Sequence, residues 1–287
     1  MERSDTMSKV FDEMMRFKNR GESCILVTVV EKKGDGPVEV GKKMVVSETG
    51  EAFGTVGGGQ IEYIARENCK DLLRKRESFL EKYSLTGGKL VEDAKALTMV
   101  CGGIVTLFYE FVGVKNNVYI FGAGHVGQAL TNVLNTMNYH ITVVDDRKAV
   151  YEAFSGADIK IHKSFTDFIV EDGIKENSMI VVCTPSHEHD YNVINKVIEL
   201  GIKPAYIGML CSPEKLTDYL KLTYAKFGED IDLKNFYSPI GLDTGGGSPE
   251  EIAISIASEM LAIGYKKTGH KHMRESIENA KYRYWED

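Results

Sequence analysis

Residues 118–147 read VYIFGAGHVGQALTNVLNTMNYHITVVDDR. The run is an apolar strand, a Gly122-Ala123-Gly124-His125-Val126-Gly127 turn, an amphipathic helix and a second apolar strand ending in the acid Asp145. Residues of these types at this spacing could hold the diphosphate and ribose of a dinucleotide. Gly122 permits the tight turn, Gly124 lets a diphosphate approach the backbone, and Gly127 lets the helix pack close to the strand. The free N–H groups at the helix start then face the anion. Asp145 lies where a ribose hydroxyl is read, and an acid there favours NAD over NADP. The neighbouring Arg147 works against that preference. His125, inside the turn, either touches a phosphate or bound cofactor or points to solvent.

Two further glycine clusters stand ahead of helices. One is Gly54-Thr55-Val56-Gly57-Gly58-Gly59, before the helix bearing Glu62; the other is Gly245-Gly246-Gly247, before Ser248. Bare backbone N–H groups at a helix start favour an anion. The alternative is that the glycines only allow close packing or positive φ. Cys101-Gly102-Gly103 has open backbone behind a thiol. Cys101 could present a thiolate to a soft metal or to sulfur chemistry, or it could be a buried residue packed as a small apolar group. In Thr184-Pro185-Ser186-His187-Glu188-His189-Asp190, His187, His189 and Asp190 could bind a metal or donate to a substrate, although the lack of a third ligand at suitable spacing argues against a metal. Asp190 could instead cap the following helix. No HExxH, GxSxG or P-loop occurs. The first histidine is His125, so the N-terminal part has no histidine to handle a hydride, which argues mildly against a simple dehydrogenase, although Lys, Tyr or Asp could serve.

The elements that must position these residues follow from periodicity. Before the dinucleotide-type segment we expect a helix over 6–18, strands over 24–32, 44–47 and 51–54, a helix over 61–75 and a strand over 104–111. That is a small α+β domain. After Asp145, strands over 159–162, 179–183 and 205–208 alternate with helices over 190–200 and 213–227. Such alternation gives a parallel sheet with right-handed crossovers. A last helix opens at Ser248-Pro249-Glu250-Glu251, which reads as a capping box with proline at the first helical position. The expected fold is therefore α/β: a C-terminal Rossmann-like parallel sheet domain with a smaller N-terminal α+β domain. The boundaries fall at 1–115, 116–263 and a charged tail over 264–287.

The chain has 287 residues, 43% apolar and 27% charged, with a formal charge of −7. Acidity of this kind argues against bulk nucleic-acid binding. The charged start MERSDTMSKVFDEMM is unlike a signal peptide, and no apolar run approaches the length of a membrane span. Five cysteines lie scattered without a CxxC pair, so neither a zinc ribbon nor a disulfide framework is expected. A cytoplasmic location is the expectation.

Five blocks of the sequence resemble the XdhC/CoxI family, the accessory or maturation factors of xanthine dehydrogenase and related molybdenum hydroxylases. They are VTVVEKKGDGPVEVGKKMVV over 27–46, GTVGGGQIE over 54–62, VCGGIVTLFYE over 100–110, the segment over 118–147, and YIGMLCSPEK with PIGLDTGGGSPEEIAISIASE over 206–259. The combination of GAGHV with GLD…PEEIA is specific to this resemblance. It implies a cofactor-binding chaperone rather than an enzyme. Such a protein binds the molybdenum cofactor (molybdopterin), assists its sulfuration with a cysteine desulfurase, and hands it to a xanthine dehydrogenase-like hydroxylase. Gly57, Gly58, Gly59, Glu62, Cys101, Gly102 and Gly103 are then the candidates for the cofactor side. Gly122, Gly124, His125, Gly127 and Asp145 would take a nucleotide, NAD(P) included, or the nucleotide-like end of a cofactor. Two departures mark the chain. Asp35-Gly36-Pro37-Val38 stands where the family carries a Ser-x-Pro-Arg-like run, and Met209-Leu210-Cys211-Ser212-Pro213 replaces a Gly-Ser-Arg. Competing readings are an NAD(P)-dependent oxidoreductase and a nucleotide-sensing module without chemistry. Exposed glycine loops on a two-domain chain also put a homodimer among the expectations.

Overall fold

The computed structural model describes residues 2–34, 38–85, 93–97, 102–113 and 116–267. Cys101, the Asp35-Gly36-Pro37 departure and the tail beyond residue 267 lie outside the described residues. The chain divides into two compact units, Met1–Val114 and Lys115–Asp287.

The first unit runs α1 (Glu2–Asn19), β1 (Cys24–Lys33), β2 (Lys43–Ser47), β3 (Ala52–Gly54), α2 (Gly59–Lys75), β4 (Phe79–Ser84), β5 (Lys95–Ala96) and β6 (Ile104–Val112). Its sheet has the order β3-β2-β1-β6-β4-β5. Side chains alternate across a strand, and β1 shows the consequence. Ile25, Val27 and Val29 join Ile61, Ala65, Cys69 and Leu72 of α2 in one core. Cys24 and Leu26 point the other way and pack with Val10 and Phe17 of α1. One strand thus serves two cores, and this fixes α2, with the glycine loop ahead of it, on one face of the sheet.

The second unit runs β7 (Asn117–Phe121), α3 (His125–Leu134), β8 (His140–Asp145), α4 (Lys148–Ala153), β9 (Ile159–His162), α5 (Phe165–Glu171), β10 (Met179–Val182), α6 (His187–Glu199), β11 (Tyr206–Met209), α7 (Pro213–Phe227), β12 (Phe236–Tyr237) and α8 (Pro249–Gly264). All its strands pair in parallel, in the order β12-β11-β10-β7-β8-β9. This is the strand order of a doubly wound dinucleotide-binding sheet, reversing direction between β7 and β10. Both faces are covered. Val118, Ile120, Ile141 and Val143 pack under α3 and α8. Tyr119, Phe121, Ile180 and Val182 pack under α5, α6 and α7.

Strong apolar strands and capped helices fall where the sequence puts them. Ser248 accepts from Glu251 N, and the Glu251 side chain answers at the cap backbone, completing the capping box. One local reading is corrected: α6 starts at His187 with Ser186 as its cap, so Asp190 lies inside the helix and does not cap it. Strands β4, β5 and β12 and helices α4 and α5 fall in stretches where periodicity predicts no element.

Candidate nucleotide cleft and glycine edge

At the carboxyl end of β7 the three glycines of the turn have three different surroundings. A Cβ on Gly122, whose φ is 117°, would collide with the Cys183 carbonyl oxygen after β10. A Cβ on Gly127 would collide with the Gly122 carbonyl oxygen. A Cβ on Gly124 would meet nothing within 4 Å, and its φ of −74° suits any residue. Two glycines therefore serve packing, while Gly124 keeps a backbone surface open. Helix α3 has no capping side chain at Gly124, so the donors of its first turn face outward. Beside them lies a cleft of about 460 Å³ lined by Gly124, His125, Gln128 and Arg147, with Val150 and Phe154 on its apolar side. His125 is exposed.

Asp145 ends β8 with its side chain fully buried. Its Oδ2 accepts from Ala123 N at 2.7 Å and from Arg147 Nη2 at 2.7 Å. Its Oδ1 accepts from Arg147 N at 2.9 Å and Arg147 Nε at 2.9 Å. Burial pushes the carboxyl up, but the donors from Arg147 and Ala123 outweigh it and hold it below the usual aspartate value. Asp145 thus ties the glycine turn to the end of β8 and presents no oxygen to the cleft. Arg147 is the charged group that does line it, a residue that the sequence showed only as a complication.

On the other side of the strand-order reversal, the first turn of α6 carries a second buried carboxylate. Asp190 Oδ1 accepts from Thr184 N at 3.0 Å and Thr184 Oγ1 at 2.6 Å. Burial pushes the Asp190 carboxyl above its ordinary value despite the Thr184 donors and the nearby His187 and His189. His187 Nδ1 lies 3.7 Å from Asp190 Oδ2. Among the described residues no group of three or more His, Cys, Asp or Glu could hold a metal ion. Two thiols missed as site residues stand at this edge: Cys183, donating to Gly122 O at 3.6 Å, and Cys211, 3.0 Å from Ser238 Oγ. Burial pushes the Cys183 thiol up to about 12, so it is a protonated packing group at neutral pH.

In the first unit the described parts of the sequence blocks make two close approaches. Gly34 passes so close to Gly103 that a Cβ on it would stand 3.0 Å from Gly103 Cα, and Val38 lies against Gly57. Leu85 clamps the turn after Cys101, donating to Gly103 O at 2.9 Å and accepting from Gly102 N at 3.0 Å. Gly58 and Gly102 both have positive φ and open space where a Cβ would stand. An internal carboxylate already sits in this glycine loop. Glu62 Oε2 accepts from Thr55 Oγ1 at 2.5 Å and Gly58 N at 3.2 Å, while Oε1 takes Arg66 at 3.0 Å. Burial raises the Glu62 carboxyl, and these donors bring it below its ordinary value. The third cluster behaves likewise, since Glu251 Oε2 accepts from Gly247 N at 3.0 Å and Ser248 N at 3.0 Å.

Beneath α2 lies a polar network invisible in the sequence. Tyr83 and Tyr109 meet at 2.7 Å, and Asn68 Nδ2 donates to Tyr83 at 2.7 Å and Glu81 at 3.0 Å. Buried polar groups need such partners, and these fix α2 to β4 and β6.

Fold and turn together define a protein with a doubly wound dinucleotide-type domain joined to a small α+β unit. Residues 118–260 match the XdhC Rossmann domain, and residues 18–84 match the XdhC and CoxI family. The chain belongs to the XdhC/CoxI family. It is 26% identical over 271 residues to the uncharacterized protein YqeB of Escherichia coli K12, covering 93% of this chain and 48% of that protein. It is 28% identical over 157 residues to a probable xanthine dehydrogenase subunit of Bacillus subtilis 168, covering 54% of this chain and 45% of that one. The chain thus spans about half the length of these curated relatives. A crystal structure described as a xanthine dehydrogenase from Bacillus halodurans superposes with a TM-score of 0.48 at 17% identity, over 93% of this chain and 98% of that one. No helix among the described residues is long and apolar enough to cross a membrane.

Proposed function

We propose that this chain is an accessory factor of a xanthine dehydrogenase-type molybdenum hydroxylase, one that binds the molybdenum cofactor and assists its sulfuration and insertion. The observation that carries this reading is family membership spanning both units, to which the B. subtilis relative adds a xanthine dehydrogenase name. The residues present fit an anionic, backbone-recognised ligand. Gly58 and Gly102 leave open space beside their backbone. Gly57, Gly58, Gly59, Gly102 and Gly103 would hold the cofactor, with Cys101 beside them in sequence. The bound cofactor would supply a dithiolene-held molybdenum as the object of sulfuration. Glu62 competes for the Gly58 N–H, so it would keep the loop shaped in the absence of ligand and turn to Arg66 when an anion enters. In the second unit, the donors of the α3 first turn and Arg147 would by themselves hold the phosphates of a nucleotide.

The partners of this reading are an apo-hydroxylase and a cysteine desulfurase. Adding the chain to both with free cofactor should raise the sulfurated, active fraction of the hydroxylase. No change in that fraction contradicts the reading. Cys101→Ser separates chemistry from packing: loss of the effect assigns the thiol a part in sulfur handling, and full retention makes it a packing residue.

The open turn and cleft favour a second reading, an NAD(P)-dependent oxidoreductase. It predicts nicotinamide binding coupled to turnover of a small substrate, and fails if no substrate-dependent change in nicotinamide absorbance occurs.

A further inference from the structure

We propose that the cleft beside the glycine turn selects a nucleotide whose ribose carries a phosphate monoester, as in NADP, over one with a free vicinal diol, as in NAD. The inference rests on the reading of the turn as a nucleotide site and adds which nucleotide it takes.

A carboxylate at the end of the second strand ordinarily reads the diol, and an arginine nearby accommodates a 2′-phosphate. Here the carboxylate is unavailable. An ionised carboxylate offers about four acceptor positions. Asp145 fills them with Ala123 N, Arg147 N, Arg147 Nε and Arg147 Nη2. Its side chain is 0% exposed, so a ribose could neither reach it nor find a free lone pair.

Arg147 is in the opposite position. Its Nε and Nη2 face Asp145, leaving Nη1 uncommitted, and the side chain is 39% exposed and lines the cleft. The pairing with Asp145 fixes the guanidinium plane, so the remaining edge is pre-aimed. A planar guanidinium held this way suits a phosphate better than a hydroxyl pair. None of the described residues lining the cleft is acidic, and His125 and Gln128 also line it. Asp146 is exposed at the strand end and is not part of the lining. The glycine turn would take the diphosphate, and Val150 and Phe154 offer an apolar side to a base.

The test is calorimetric titration of the full-length protein with NADP⁺, NAD⁺, 2′,5′-ADP and 5′-ADP. NADP⁺ should bind at least about ten-fold more tightly than NAD⁺, 2′,5′-ADP should exceed 5′-ADP by a similar factor, and added salt should narrow both gaps. Arg147→Gln should bring NADP⁺ down to the affinity of NAD⁺. Because Arg147 also satisfies buried Asp145, its melting curve must accompany that result, whereas the wild-type comparison stands without the variant. NAD⁺ binding as tightly as NADP⁺ overturns the phosphate preference and leaves the nucleotide reading in place. Binding of none of the four removes both, while pterin binding by the first unit is measured separately.

Discussion

Two buried aspartates at the carboxyl edge of the parallel sheet have opposite electrostatics, and the difference lies in their partners. Asp145 has four donors, three of them from Arg147, and stays below its ordinary value. Among the described residues the Asp190 carboxylate accepts hydrogen bonds from Thr184 alone, and burial wins. A carboxyl raised in the folded state contributes stability while protonated. For Asp190 that contribution is present below the ordinary value of 3.8 and is lost as pH rises through the folded value. Asp190→Asn keeps an oxygen for Thr184 without the buried charge. Its thermal midpoint should equal or exceed that of the wild type at pH 7 and fall less between pH 4 and pH 7. Melts across that range giving a clearly less stable variant at pH 7 would show that the ionised form is needed for folding. The sequence could mark both residues as acids at strand or helix ends. It could not show that Arg147, only two positions after Asp145, folds back and takes its lone pairs.

At the scale of elements, the three glycines of the turn make unequal demands. Gly127→Ala inserts a Cβ into the Gly122 carbonyl and should cost about 1–3 kcal/mol or more. Gly124→Val places its side chain in open space, so the fold should survive with a loss of about 1 kcal/mol at the helix start. Nucleotide binding should nevertheless be abolished, because the side chain fills the path of the diphosphate. Denaturant curves with parallel binding assays check both, and a Gly124→Val protein that binds like the wild type would make the turn purely structural. The sequence marked these glycines because strand, turn, helix and strand each carry their own periodicity. It did not mark β4, where FLEKYS mixes exposed Phe79 and Leu80 with charges and only Tyr83 and Ser84 are buried. Helices α4 and α5 span six and seven residues, too short for a helical period to emerge. Ser186 as a cap is hidden by the more conspicuous His187, His189 and Asp190 beside it.

For the whole molecule, the order of the elements specifies two units of different kinds. One is a largely antiparallel sheet with a helix on each face, the other a parallel sheet wound in both directions. The resemblance read from five blocks is matched by family models over both units. In the first unit the block over 27–46 approaches two others, Gly34 at Gly103 and Val38 at Gly57, contacts that sequence spacing alone does not contain. The most direct test is anaerobic purification of the chain from a molybdenum-replete host, followed by metal analysis and fluorescence of the oxidised pterin. The account predicts pterin at near one per chain, reduced when Gly58 or Gly102 is replaced. A pterin-free protein, obtained under conditions in which the host makes active molybdenum hydroxylases, would contradict it.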